Sequence, residues 1–159
     1  MTLRNTIHEV LTTIYGPDWP TDLRFERLAD EQTVRNIERV QTRIQAKGYN
    51  ITTPRIVAGL SFDFWASMFK AKYERPVWQT RLHSAFPQMP PGWRRKEFVG
   101  LVMRVKDFRN RVAHYEPILR ENHSAMHTEI LQLIRCRCAD TADWVAHHSR
   151  VHAVLRERP

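Results

Sequence analysis

Residues 93–114 read WRRKEFVGLVMRVKDFRNRVAH, and Phe98, Leu101, Val102, Val105, Phe108 and Val112 recur in it at steps of three and four. That spacing lines one face of an α-helix, so a helix from Trp93 to His114 with all six residues facing a core is expected. Pro117 lacks an amide proton, and its ring disfavours helical geometry at Glu116, so the helix must stop near His114. Ahead of it, the turn-rich FPQMPPG of residues 86–92 separates the segment from what precedes it.

The same period runs outward in both directions. Leu3, Ile7, Val10, Leu11 and Ile14 repeat at helical spacing until Gly16-Pro17, and Val34, Ile37, Val40 and Ile44 do so until Lys47-Gly48. Thr53-Pro54 reads as an N-cap followed by proline at the first helical position, with a stripe of Ile56, Leu60, Phe64 and Met68 behind it. A shorter helix should carry Val77, Trp78 and Leu82. Beyond Pro117, a helix from about Asn122 turns Met126, Ile130, Leu133 and Ile134 inward, and a last short element holds Trp144, Val145, Val151, Val154 and Leu155. The aromatics Phe62, Phe64, Trp65, Phe69, Tyr73 and Trp78 are expected in a core or a dimer face. No stretch alternates with period two, and five glycines leave little hairpin chemistry. The expected fold is all-α, one domain over residues 1–159.

The 159 residues carry 25 Lys+Arg against 17 Asp+Glu, a formal charge of +8, and the basic residues divide into 20 Arg and 5 Lys. Arginine's planar fork of donors matches phosphate, so this excess favours a nucleic-acid partner. The apolar runs are too short for a transmembrane helix, and MTLRNTIHEV does not read as a signal peptide. Two cysteines, Cys136 and Cys138, cannot build a disulfide framework, which points to a reducing cytoplasm.

Chemistry concentrates where the decisive helix ends. Asn110 and Arg111 lie four and three residues before His114 and should flank it, whereas Arg109, five residues away, is turned about 140° around the helix. An imidazole that trades a proton near neutral pH, beside guanidinium groups that hold phosphate, suits phosphodiester transfer. The same residues also fit a plain capped helix end with solvated arginines.

Arg109 and His114, with Asn110 directly after the arginine and three residues between Asn110 and the histidine, resemble the R-polar-x(3–5)-H motif of the HEPN superfamily. RNRVAHYEPI (residues 109–118) is similar to the RNRIAHHEPI-type signature of the Abi-like, or abortive-infection, family. In register with it, LRNTIH (residues 3–8) resembles that family's LRN-x-IH element, and RIVAGLSFDFW (residues 55–65) its RIVAELSFGFW block. Tyr73-Glu74, Trp78, Phe86-Pro87 and the tail from Trp144-Val145 to Arg158-Pro159 continue the pattern. Asp63 and Tyr115 depart from it, standing where the family often has glycine and a second histidine.

The resemblance implies a HEPN-like helical bundle, usually dimeric, lacking here the extra helical region that commonly precedes LRN-x-IH. It implies a metal-independent endoribonuclease of the toxin or antiviral-defence type, with no cofactor and with an antitoxin as a further partner. Arg109 and His114 would be the catalytic pair, assisted by Asn110, in a cleft shared by two copies. The alternative is a non-catalytic module of the same family that binds RNA, a nucleotide or a partner protein. A basic DNA-binding protein is a weaker third reading, since no helix-turn-helix pattern supports it.

Arg111 would serve as an RNA contact. Arg4, Asn5 and His8 echo the main motif, with His8 four residues from Arg4, and would lie near the RNA path or brace it. Arg94, Arg95 and Lys96 beside Trp93 could follow a phosphate backbone. Asp107 and Glu116 could orient Arg or His, or be exposed. His123/His127 and His148/His152 have chelating spacing, but no HExxH glutamate completes either pair, so no metal site is expected.

Overall fold

The computed structural model describes residues 2–119 and 121–157, so the last residues of the expected motif-bearing tail, Arg158 and Pro159, lie outside the described residues. The described residues are helical, without strands, as the periodicity requires. They form two compact units, Met1–Ala85 and Phe86–Pro159.

In the first unit, α1 (Thr2–Tyr15) buries Leu3, Ile7, Val10 and Leu11 and ends where Gly16 takes φ +96°. A 3-10 turn (Trp19–Thr21) leads into α2 (Leu23–Leu28), which periodicity alone had not suggested. Its local cause is Asp22, whose carboxylate accepts from the Arg24 and Phe25 amides at 2.8 and 3.3 Å and caps the helix.

Helix α3 (Glu31–Ala46) buries Ile37, Val40 and Ile44 and stops at Gly48, φ +73°. There the Gly48 amide donates to the Gln45 carbonyl at 2.8 Å and the Tyr49 amide to Ile44 at 3.2 Å, closing the end as a Schellman motif. Asp30 caps its start through the Thr33 amide at 2.8 Å and pairs with Lys70 at 3.1 Å. Hydrogen bonding from Thr33 and the Lys70 ammonium hold its carboxyl down to about 2.

The stripe Ile56, Leu60, Phe64, Met68 is buried throughout, but two helices carry it rather than one: α4 (Thr53–Gly59) and α5 (Phe62–Ser67). Leu60 is extended, and Ser61 restarts the helix by accepting the Phe64 amide at 3.3 Å. The cap also shifts by one residue: Thr52 is the N-cap of α4, and the Thr53 hydroxyl donates instead to Asp18 at 3.0 Å.

Val77, Trp78 and Leu82 are buried on a π-helical segment (Glu74–Leu82), where the Thr80 hydroxyl donates to the Arg75 carbonyl at 3.0 Å. The His83 amide likewise reaches back five residues, to the Trp78 carbonyl. Trp19 is the aromatic hub, with ring centroids 5.0 Å from Phe25 and 6.1 Å from both Phe64 and Trp65.

The second unit is organised by α6 (Arg95–Ala113), which buries Phe98, Leu101, Val102 and Val105. Phe98 packs on Phe86, the first residue of the turn-rich loop, at 4.4 Å between ring centroids. Helix α7 (His123–Arg137) starts where Asn122 accepts the Ala125 amide at 3.0 Å, and Arg104 on α6 donates to Glu129 on α7 at 2.8 Å. Leu133 and Cys136 are its buried residues, whereas Met126, Ile130 and Ile134 are only half-buried.

The expected last element is two helices, α8 (Ala139–His148) and α9 (Val151–Arg156), broken at the extended Ser149. Ala142, not Trp144, is the buried residue of α8. No helix among the described residues is long and apolar enough to cross a membrane.

Candidate functional site at the C-terminal end of α6

The last turn of α6 closes by backbone bonding. The His114 amide donates to the Asn110 carbonyl at 2.9 Å, Tyr115 to Val112 at 3.2 Å, and Glu116 to Arg111 at 2.9 Å. This is a second Schellman closure, and Tyr115 occupies its left-handed position at φ +56°. Glycine usually fills that position, because a Cβ there costs roughly 1–2 kcal/mol. Pro117 follows two residues later and prevents any continuation.

Arg111 braces the returning chain. Its guanidinium forms ion pairs with Glu121 and, at 3.6 Å, with Glu116, and donates to the Pro117 carbonyl at 3.1 Å. Arg109 is exposed, and its Nη1 donates to Asn110 Oδ1 at 3.2 Å. His114 is exposed as the C-cap. Five residues of helix set Arg109 and His114 about 140° apart around the axis and ~7.5 Å apart along it. The carbonyl end of a helix is itself unfavourable for an anion, so phosphate held here would depend on these guanidinium groups. Asp107 pairs with Lys106 at 3.0 Å, and Glu116 with Arg111 as above.

Contrary to the stripe's expectation, Val112 is 47% exposed and Phe108 only half-buried. Phe108 stands edge-on to His123, the first residue of α7, at 6.2 Å, so the last turn of α6 projects beyond the start of its partner helix. Tyr115 and Leu119, 96% and 76% exposed, extend the apolar surface there.

The other predicted residues fall elsewhere. In the first unit, Arg4 donates to Asn5 Oδ1 at 3.1 Å, the same arginine–asparagine bond that Arg109 makes. His8 accepts the indole N–H of Trp19 on Nδ1 at 3.0 Å, and burial holds its pKa below the ordinary value, with Glu9 opposing and Arg4 reinforcing the shift. Arg94, Arg95 and Lys96 sit at the start of α6, about 27 Å of helix from His114. They therefore cannot share one phosphate with it.

His127 and His152 stand perpendicular with ring centroids 5.1 Å apart, and burial, then the charge of His152, lowers the His127 pKa. No three His, Cys, Asp or Glu among the described residues converge as a metal site. A cavity of about 190 Å³ in the first unit, lined by Phe25, Val34 and Ile37 with Glu26 and Glu38, contains none of the sequence-predicted site residues.

The strained Tyr115 was not among the residues singled out as functional. Pro117 marks the end of the helix, but nothing in the sequence marks residue 115 as the left-handed position. Comparison of the chain with protein-family models, with curated proteins and with solved structures returns no match.

Proposed function

We propose that the end of α6 is the RNA-cleaving centre of a metal-independent endoribonuclease of the HEPN, Abi-like type, working as a homodimer. The observation that carries this reading is the exposure of Arg109 and His114 at the C-terminal end of one helix, with Asn110 bonded to the arginine and Arg111 engaged in bracing the loop. In this mechanism the ribose 2′-OH gives up its proton and its oxygen bonds to the adjacent phosphorus. The P–O5′ bond breaks and the departing 5′-oxygen takes a proton, leaving a 2′,3′-cyclic phosphate and a 5′-OH. His114 moves a proton, and Arg109, oriented by Asn110, stabilises charge on the pentacoordinate phosphate.

One α6 turns Arg109 and His114 away from each other, so a two-fold axis that pools two motifs in one cleft supplies the missing convergence. Exposed Val112 and Leu119 offer apolar surface for that contact. Arg111 acts as a positioning residue, the Arg94–Lys96 cluster at the other end of α6 is a further RNA contact, and so, within the first unit, are Arg4, Asn5 and His8. An antitoxin covering the terminal turn would silence the enzyme, and cytoplasmic RNA is its target. The exposed Arg109 guanidinium supports, as a second reading, a module of the same type that binds RNA without cutting it.

Expression in growing cells separates the two. The nuclease reading expects growth arrest and fragmented total RNA with the wild type and neither with Arg109→Ala. Harmless expression of both favours the binding module. A strict monomer by light scattering contradicts the pooled cleft.

A further inference from the structure

Tyr115 stands in the left-handed conformation at φ +56° with its side chain 96% exposed. The backbone closure it completes would form at least as well with glycine, which carries no Cβ penalty there. A ring exposed to this degree returns little packing energy to the fold, so the strain is not offset by burial of the side chain. What the position does achieve is geometric. It places an exposed phenol ring, on a backbone closed by two hydrogen bonds and the Arg111 brace, one residue from His114.

An exposed aromatic ring next to a phosphate-directed motif matches the chemistry of an unpaired nucleobase, whose π-face stacks on such rings with little regard to sequence. Bases within a duplex are already stacked and present no free face. Resting on the RNA-cleaving reading above, we infer that Tyr115 is a stacking platform for an unpaired base next to the scissile phosphate.

The test uses fluorescence anisotropy of the full chain with a labelled 2′-O-methyl RNA 12-mer, single-stranded or annealed to its complement. The 2′-O-methyl group blocks attack by the 2′-oxygen and so isolates binding from cleavage. Wild type should bind the single strand and disfavour the duplex. Tyr115→Phe should bind within about 2-fold of wild type, and Tyr115→Ala about 5- to 150-fold more weakly, as expected for one lost stack. Tyr115→Gly should lose the same affinity while melting at a higher temperature than wild type, a combination that a purely structural tyrosine would not give.

Equal binding by wild type and Tyr115→Ala, or equal binding of both RNA forms, overturns the inference while leaving the nuclease reading intact. Loss of binding that accompanies conversion of a dimer to a monomer in Tyr115→Ala also overturns it, and assigns the ring to a contact between copies. A wild type that binds neither RNA form removes the RNA reading and this inference together.

Discussion

The fully buried indole of Trp19 donates its N–H to Nδ1 of His8 across 3.0 Å, which fixes His8 as the neutral tautomer protonated on Nε2. Since Trp19 is also the hub against which Phe25, Phe64 and Trp65 pack, this one bond couples α1 to the aromatic core of the first unit. His8 thus has a structural task whatever its relation to RNA.

Burial lowers the His8 pKa in the folded protein, whereas the unfolded ring takes up its proton near pH 6.5. Between those two values the unfolded state binds more protons. The stabilisation is therefore complete above about pH 6.5 and declines as pH falls toward the lower folded value. Urea denaturation at pH 8 and 5.5 should show the loss at the lower pH. His8→Gln, which keeps an acceptor but does not titrate, should flatten that part of the profile. His8→Ala should cost about 1–3 kcal/mol at pH 8 by stranding the Trp19 N–H. An unchanged pH profile in His8→Gln would contradict the assignment.

Arg111 and Glu121 form the brace that returns the chain after α6. Both side chains are partly exposed, so the pair is expected to contribute only about 0–1 kcal/mol to global stability. Its local effect should be larger. Hydrogen exchange at the amides of residues 114–116 should quicken in Arg111→Ala and in Glu121→Gln, with little change in melting temperature. Exchange rates equal to wild type in both variants would remove Arg111 from its positioning role.

Gly59 permits the close approach of α4 to α3. A Cβ built there would lie 2.6 Å from Val40 Cγ1, too close for any real contact. Gly59→Ala should destabilise the protein by about 1–3 kcal/mol through overpacking. In a Val40→Ala background the same change should cost distinctly less, because the obstructing methyl is gone. Additive costs in thermal melts would falsify the proposed contact.

Much of this architecture is legible from spacing. The stripes of α1, α3 and α6 and the stops at Gly16, Gly48 and Pro117 depend on local periodicity and backbone sterics, which the sequence displays directly. The break at Leu60 is less visible, since the apolar stripe runs through it unbroken and only the cap at Ser61 divides the helices. The helix after Asp22 depends similarly on a side chain bonding to particular backbone groups, and the π-helical segment on backbone bonds that reach back five residues, which an apolar stripe does not display. Val112 is exposed despite its place in the stripe, because periodicity shows which face a residue takes, not where the partner helix begins.

At the candidate site, the helix end and its Arg, Asn and His residues follow from the sequence. The pairing of Arg111 with Glu121 spans ten residues and a reversing loop, beyond the reach of helical spacing. The left-handed Tyr115 was hidden for a different reason, since nothing in a tyrosine advertises a conformation that glycine normally takes.

The most direct measurement of the central claim is end-group analysis of a single-stranded RNA incubated with the purified protein in excess EDTA. The account predicts fragments ending in 2′,3′-cyclic phosphate and beginning with 5′-OH, formed by wild type and abolished in Arg109→Ala and His114→Ala. Intact RNA with the wild type, or the same fragments persisting in His114→Ala, would contradict it.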